Sequence, residues 1–300
     1  DILQKNSRME LPPLLLPQAS LYQSTSIICV SLISMEVLHQ LFRRHCQQLK
    51  CSEQQQLMYN KTAVQFTHLA VNCILALSGL YCWYKQTPHW NDCSLIQRWT
   101  GFQNFSFFGN IMISYNVWSS YASRRIFGHE DVTMACHHIM ACVIGFFSSF
   151  THYGWNYYAP FFFGVIEVSS LPLSLLNAFN FRDDWVVAYP TLHLFTKIFF
   201  AIAFIGTRVF LWNSNMHLFF KDTLSLIANN NPEIANISAT TRFVTLLAAD
   251  VPALFLTFLQ LFWAFKILEA LLNMVLGGAK KTAHSKEGKL NITAIAIAAG

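Results

Sequence analysis

Charge is what this chain has least of. Asp, Glu, Lys and Arg make up only 12% of its 300 residues, about half the share of an average soluble domain. The net charge is a modest +5, and the basic residues are scattered or sit at segment ends. No basic stripe interleaved with aromatics forms, so nucleic acid is not an expected partner. No Cys-x-x-Cys pair occurs among the eight cysteines, which argues against a zinc site and a disulfide framework. Cys82 and Cys93 flank one loop and would pair if it faced an oxidising lumen. Neither His-Glu-x-x-His, Gly-x-Ser-x-Gly nor a P-loop is present, so no metal site, no bound cofactor and no soluble-type catalysis are predicted. Repeats and domain linkers are missing too. The apolar run "LPPLLLP" is too short and too broken by proline to be a signal peptide. A start at Asp1 fits an organellar presequence removed ahead of it.

What is present is hydrophobicity. It reaches 54%, with 27 phenylalanines, which points to an integral membrane protein. Seven apolar runs have the ~20-residue length that a bilayer requires: 21–42, 62–84, 101–122, 132–150, 155–178, 189–212 and 248–275. Continuous apolarity makes them helices rather than alternating strands. The fifth should kink at Pro172, and the seventh, which contains Pro252, should begin as a loop or half-helix. The stretch 214–231 is too polar to span and reads as an interfacial helix. The loops after spans 1, 3 and 5, with the C-terminal tail, hold eleven lysines and arginines; the opposite set holds six. That asymmetry puts the C-terminus on the cytoplasm-like side. Of the sequons at Asn60, Asn104, Asn236 and Asn291, only Asn236 then falls on the far side. The organisation is an arm, first helix and loop over 1–57, a membrane domain over 58–278, and a basic tail over 279–300.

Ionisable residues inside a span are functional candidates by default, because hydrocarbon tolerates them poorly. Gly164, Glu167, Ser170 and Ser174 recur at three and four, on one helix face. His193, Lys197 and Arg208 share a second face, and Asp250, Thr257 and Gln260 a third. Three polar stripes imply a helical bundle around a polar-lined chamber. Glu167 should pair there with Lys197 or a histidine, to avoid an isolated buried charge. The adjacent His137 and His138 point about 100° apart. One of them faces the chamber as a possible base, nucleophile or ligand. The other packs on a neighbouring helix through the small-residue face Met134, His138, Ala141 and Gly145.

Several segments, in order, carry a family resemblance. "FFGNIMISYNVWSSY" offers Tyr115 followed by Asn116, where an aspartate is common. "EDVTMACHHIM" sets Asp131 before His137 and His138, and "FFFGVIEVSSLPLSLLNAF" contains Glu167, Ser169 and Asn177. "FFAIAFIGTRVFLW" holds Arg208. The stretch from Asn110 to Asn177 resembles the TLC-domain family, the membrane fold shared by ceramide synthases, the translocating-chain-associating membrane protein and the ceroid lipofuscinosis protein of the endoplasmic reticulum. The resemblance implies six helices in a barrel around a lipid-accessible cavity, plus an N-terminal helix. The aspartate pair of the ceramide synthases is missing, so the chain looks closer to members that lack it.

Two kinds of function follow from the resemblance. In one, the chain binds, senses or regulates membrane lipid in its cavity without catalysis. In the other, it is an acyltransferase with acyl-CoA as co-substrate. His137 or His138 then accepts the acyl group or acts as base, Glu167 orients the imidazole, and His193, Lys197, Arg208, Asn116 and Asp250 contact lipid. A structural subunit of a larger membrane assembly is a third reading. The implied membrane is that of the endoplasmic reticulum, with the mitochondrial inner membrane as alternative, and the implied partners are membrane lipids and other membrane subunits.

Overall fold

The apolar runs fold as helices, as they must where every backbone N–H and C=O needs an internal partner. The computed structural model describes residues 18–47, 52–228, 234–235 and 237–277. In chain order the helices are α1 (Gln18–Gln47), α2 (Glu53–Tyr81), α3 (Leu95–Thr100), α4 (Ser106–Ala122), α5 (Val132–Phe150), α6 (Ala159–Phe162), α7 (Ser170–Asn180), α8 (Asp183–Ala188), α9 (Pro190–Phe204), α10 (Trp212–Ala228) and α11 (Ala239–Gly277). Among the described residues, six stretches are long and apolar enough to cross a membrane: Ser20–His45, Glu53–Gln86, Val132–Phe150, Asn156–Asn180, Pro190–Ala228 and Ala239–Asn273. The expected span at 101–122 is α4. Its 17 residues lie at the short end of what a bilayer needs, because the chain turns through Phe102 at φ 60° and a 3₁₀ turn before the helix begins. The chain is therefore an all-α integral membrane protein of six to seven spans.

The packing closes a ring. α2 packs on α7, α7 on α9, α11 on α5, and α5 on α4, while α10 and the π-turn beside it lie against α11. α2 and α4 meet only lightly; α1 packs outside against both and covers that seam. A ring of six spans with an N-terminal helix on its flank is the arrangement the resemblance implied. Two pairs of glycines set the closest approaches. A Cβ on Gly79 of α2 would lie 2.5 Å from the Gly164 backbone. A Cβ on Gly109 of α4 would lie 2.7 Å from the Gly145 carbonyl oxygen of α5.

Three expectations about spans are corrected. The fifth span breaks at Gly164, where φ is −126° and ψ −70°, and not at Pro172. Pro172 occupies the first turn of α7, where its missing N–H costs nothing. The stretch 214–231 is not a surface helix. Its residues to 228 form α10, which continues α9 through a π-turn at Ile205–Leu211 and buries Trp212, Met216, Phe219, Asp222 and Leu226. Its buried Asp222 and Thr223 find partners inside the protein, in Arg98 and Asp250. The seventh span begins as regular helix at Ala239 and runs through Pro252. Asn236 and the tail lie outside the described residues.

Candidate functional site

The site starts at the N-terminus of α5. Asp131 caps the helix, its Oδ1 accepting from the Thr133 amide at 2.8 Å. That anchors the chain so that the preceding residue, Glu130, points inward, with its side chain only 4% exposed. Glu130 Oε1 accepts from Ser120 Oγ at 2.7 Å and lies 2.7 Å from His138 Nδ1. Ser120 Oγ is 2.9 Å from the same nitrogen, which closes a triangle of three atoms. Arg124 stands 3.4 Å from the other carboxylate oxygen. Burial works against the charge on Glu130. The hydrogen bonds from Ser120 and His138 and the charge of Arg124 outweigh it and hold the carboxyl below its usual pKa. A carboxylate on Nδ1 fixes the proton there and leaves Nε2 as the acceptor. The carboxylate orienting an imidazole is therefore Glu130, and not the expected Glu167.

Glu167 serves a different cation from the two expected. It sits in the 3₁₀ turn Val165–Val168 just past the Gly164 break. Arg208 approaches it to 3.5 Å and donates from Nε to Ser169 Oγ at 2.7 Å and from Nη2 to Ser170 Oγ at 2.8 Å. Glu167 is 5% exposed and Arg208 8%. Both helices depart from α geometry at these residues. The fifth span breaks beside Glu167, and the sixth widens into the π-turn that carries Arg208. Such turns often mark functional positions.

Two internal compartments meet at this pair. One is lined mainly by apolar and aromatic groups, among them Tyr158, Phe162, Trp212, Phe219 and Leu256. It encloses about 70 Å³, within a cleft of about 800 Å³ when its open mouth is included. The other encloses about 50 Å³ and is lined by polar groups, including Gln65, His68, Asn72, Asn116, His138 and Asn177. His137, Glu167 and Arg208 border both. The polar compartment is rich in unmet hydrogen-bonding capacity. Gln65 Oε1, His68 Nε2, Asn72 Oδ1, His137 Nδ1, Asn177 Oδ1 and Trp263 Nε1 are buried without a partner among the described residues. Buried polar atoms are seldom left unpaired, so water or another polar group would complete these bonds.

Five of the expected site residues thus share the chamber: Asn116, His137, His138, Glu167 and Arg208. His137 packs edge-on to Trp263 at 5.5 Å, and Asn116 ties its amide to the Met112 carbonyl at 2.7 Å. His193, Lys197 and Asp250 border neither compartment. His193 lies against the Phe179 ring, and Asp250 accepts from Thr223 Oγ1 at 3.3 Å. The eleven residues from Lys197 to Arg208 keep a common face only in an unbroken α-helix, and the π-turn rotates Arg208 away from it. Among the described residues no three His, Cys, Asp or Glu side chains gather as metal ligands.

A second polar centre lies at the opposite end of the ring. Arg98 of α3 grips Asp222 of α10 with two parallel bonds of 2.7 Å. Asp222 Oδ2 also accepts from Tyr158 OH at 2.6 Å and Trp90 Nε1 at 3.3 Å. Arg98 Nη1 donates to the carbonyls of Trp90 and Cys93, and its guanidinium lies over the Trp90 ring at 4.1 Å. Burial disfavours the charge on Arg98, but the bonds and charge of Asp222 prevail and raise its pKa. Tyr158 also lines the apolar compartment, so this centre holds the roof of the cavity in place. Cys82 and Cys93 at the ends of the intervening loop are both free thiols.

Compared with known proteins, residues 59–269 match the model of the TLC domain. That is more than two thirds of the 300 residues. No curated protein and no solved structure matches the chain.

Proposed function

The chain belongs to the TLC-domain family of membrane proteins, and from that premise we propose that it holds a single membrane lipid inside the helical ring. The carrying observation is the meeting of an apolar and a polar compartment at His137, Glu167 and Arg208. An amphipathic ligand has the same division: its chain suits the aromatic-lined cleft, its head the chamber of unpaired donors and acceptors. Arg208 supplies charge to the head, and Ser169 and Ser170 hold the guanidinium in place. The lipid, and a residence in the endoplasmic reticulum or the mitochondrial inner membrane, are parts of this reading.

One observation favours a second reading, acyl transfer from acyl-CoA. Glu130 orients His138, which borders the polar chamber and keeps Nε2 free to attack the thioester, so that an acyl-imidazole forms as the coenzyme A thiolate leaves. Native mass spectrometry of the gently extracted protein separates the two. A whole lipid retained by the wild type and lost about tenfold in Arg208→Met supports lipid holding. A covalent acyl adduct, absent from His138→Ala, supports transfer. No retained lipid and no adduct in the folded wild type would refute both.

A further inference from the structure

Outside the ring, α1, α4 and α5 leave a groove of about 870 Å³. Its walls are the α4 face from Ile113 to Tyr121, extended by Arg124 of the π-turn Ser123–Phe127, and the α5 face from His138 to Phe150, with Ile28 of α1 at its edge. The lining recurs at three- and four-residue spacing on both helices, so two regular faces form it. It is apolar along its length and polar at one end, where Ser120, Tyr121 and Arg124 stand. From His138 to Phe150 the α5 face runs about 18 Å at 1.5 Å per residue. One leaflet of hydrocarbon is about 15 Å deep. The groove therefore fits a lipid chain anchored at the Arg124 end.

The charges at that end decide which lipid. Arg125 is engaged by Glu36 at 3.1 and 3.3 Å. The carboxylate of Asp131 is spent on the α5 cap. Glu130 is buried against Ser120 and His138. Of these four charged residues, Arg124 stays outward, 70% exposed, with a 3.4 Å approach to Glu130 below it. What the groove offers to a headgroup is the Arg124 guanidinium fork, since the Tyr121 hydroxyl already accepts from Arg125 at 3.2 Å. The loop charges assign this end to the cytoplasm-like side, where leaflets carry anionic lipid.

We propose that this groove is a second, outer lipid site, which binds one anionic phospholipid with its phosphate on Arg124 and a chain along α5. Among the described residues, His138 and Asn116 border both the groove and the inner polar chamber. The outer lipid therefore lies against the back of the His138 ring. This site does not depend on the inner cavity holding anything.

The test is competition on the delipidated full chain in detergent, read by native mass spectrometry. Dioleoyl phosphatidylglycerol and dioleoyl phosphatidylcholine are offered in equal amounts. The wild type should prefer the glycerol lipid about fivefold, the worth of one arginine at a membrane surface. Arg124→Gln should bind both equally. Val143→Trp, which fills the groove, should lose most of both adducts. A diazirine on the chain of the glycerol lipid should label α5 between Ile139 and Phe150. Equal binding by the wild type, a preference that survives Arg124→Gln, or labelling confined to α11 would each overturn the proposal. Because Arg124 is so exposed, its replacement leaves the fold intact, and unchanged thermal unfolding verifies this.

Discussion

Asp222→Asn removes the charge that Arg98 was buried to meet. The guanidinium is 6% exposed and cannot reach water without moving α3. Three of the four bonds converge on Oδ2, so an Asn oxygen in its place can still be reached by Arg98 Nε, Tyr158 and Trp90, but the amide NH₂ then faces the Arg98 Nη2 donor and the negative charge is gone. Removing one partner of a buried pair costs about 3–5 kcal/mol. At about 2–4 °C per kcal/mol for a chain of this size, a loss of about 3–5 kcal/mol should lower the midpoint of thermal unfolding by roughly 6–20 °C. Intrinsic tryptophan fluorescence in detergent reads this directly, since Trp90 and Trp155 lie close to the pair. The double replacement Arg98→Met, Asp222→Leu is the decisive companion. Apolar groups of similar volume often replace a buried pair without loss, so the double variant should recover more than half of the drop. The reasoning fails if Asp222→Asn melts within 1 °C of wild type, within assay error as judged against that scale. It fails equally if the double variant shows the sum of the two single losses.

Other outcomes follow from the same geometry. Gly79→Ala drives a methyl into the Gly164 backbone and should cost about 3 kcal/mol, the upper end for overpacking; Gly206→Ala, with nothing within 4 Å of the added carbon, should melt like wild type. The pKa of Glu130 is lowered by folding from its ordinary 4.5. Its contribution is therefore complete above about 4.5 and is lost as pH falls through the lowered folded value. Unfolding midpoints measured from pH 7 to 3 should drop less steeply in Glu130→Gln than in wild type. Arg208→Lys keeps the charge but not the fork that bonds Ser169 and Ser170 together, so lipid retained on purification should fall several-fold while α-helix content by circular dichroism is unchanged.

The sequence carries the ring better than it carries the site. Continuous apolar runs announce helices on their own, because hydrocarbon leaves the backbone no alternative. The small-residue face of α5 was equally legible: Gly145 packs on Gly109 as the spacing of Met134, His138, Ala141 and Gly145 suggested. The pairings were not legible. Face arithmetic assumes an unbroken α-helix, and both helices that carry the Glu167–Arg208 pair break that rule where the pair forms. Glu130 was hidden by its neighbour. Asp131 looked like the acidic member of the His-His segment, yet it caps α5, and the residue before it reaches His138. Asp222 lies in the stretch 214–231 that reads as interfacial, because its partner, Arg98, is 124 residues away. The one local clue was the density of tryptophan around Arg98, at Trp90 and Trp99, in an otherwise polar loop.

The most direct measurement of the central claim is photolabelling of the protein in bilayers by a lipid with a diazirine at mid-chain. α11 gives the comparison within one helix. Ala253, Leu256 and Gln260 face the inner cavity, while Phe258, Phe262 and Phe265 are exposed on the outside. A lipid held inside the ring predicts adducts on the inner set that resist dilution with unlabelled lipid longer than those on the outer set. Adducts on the outer set alone would contradict an internal lipid site.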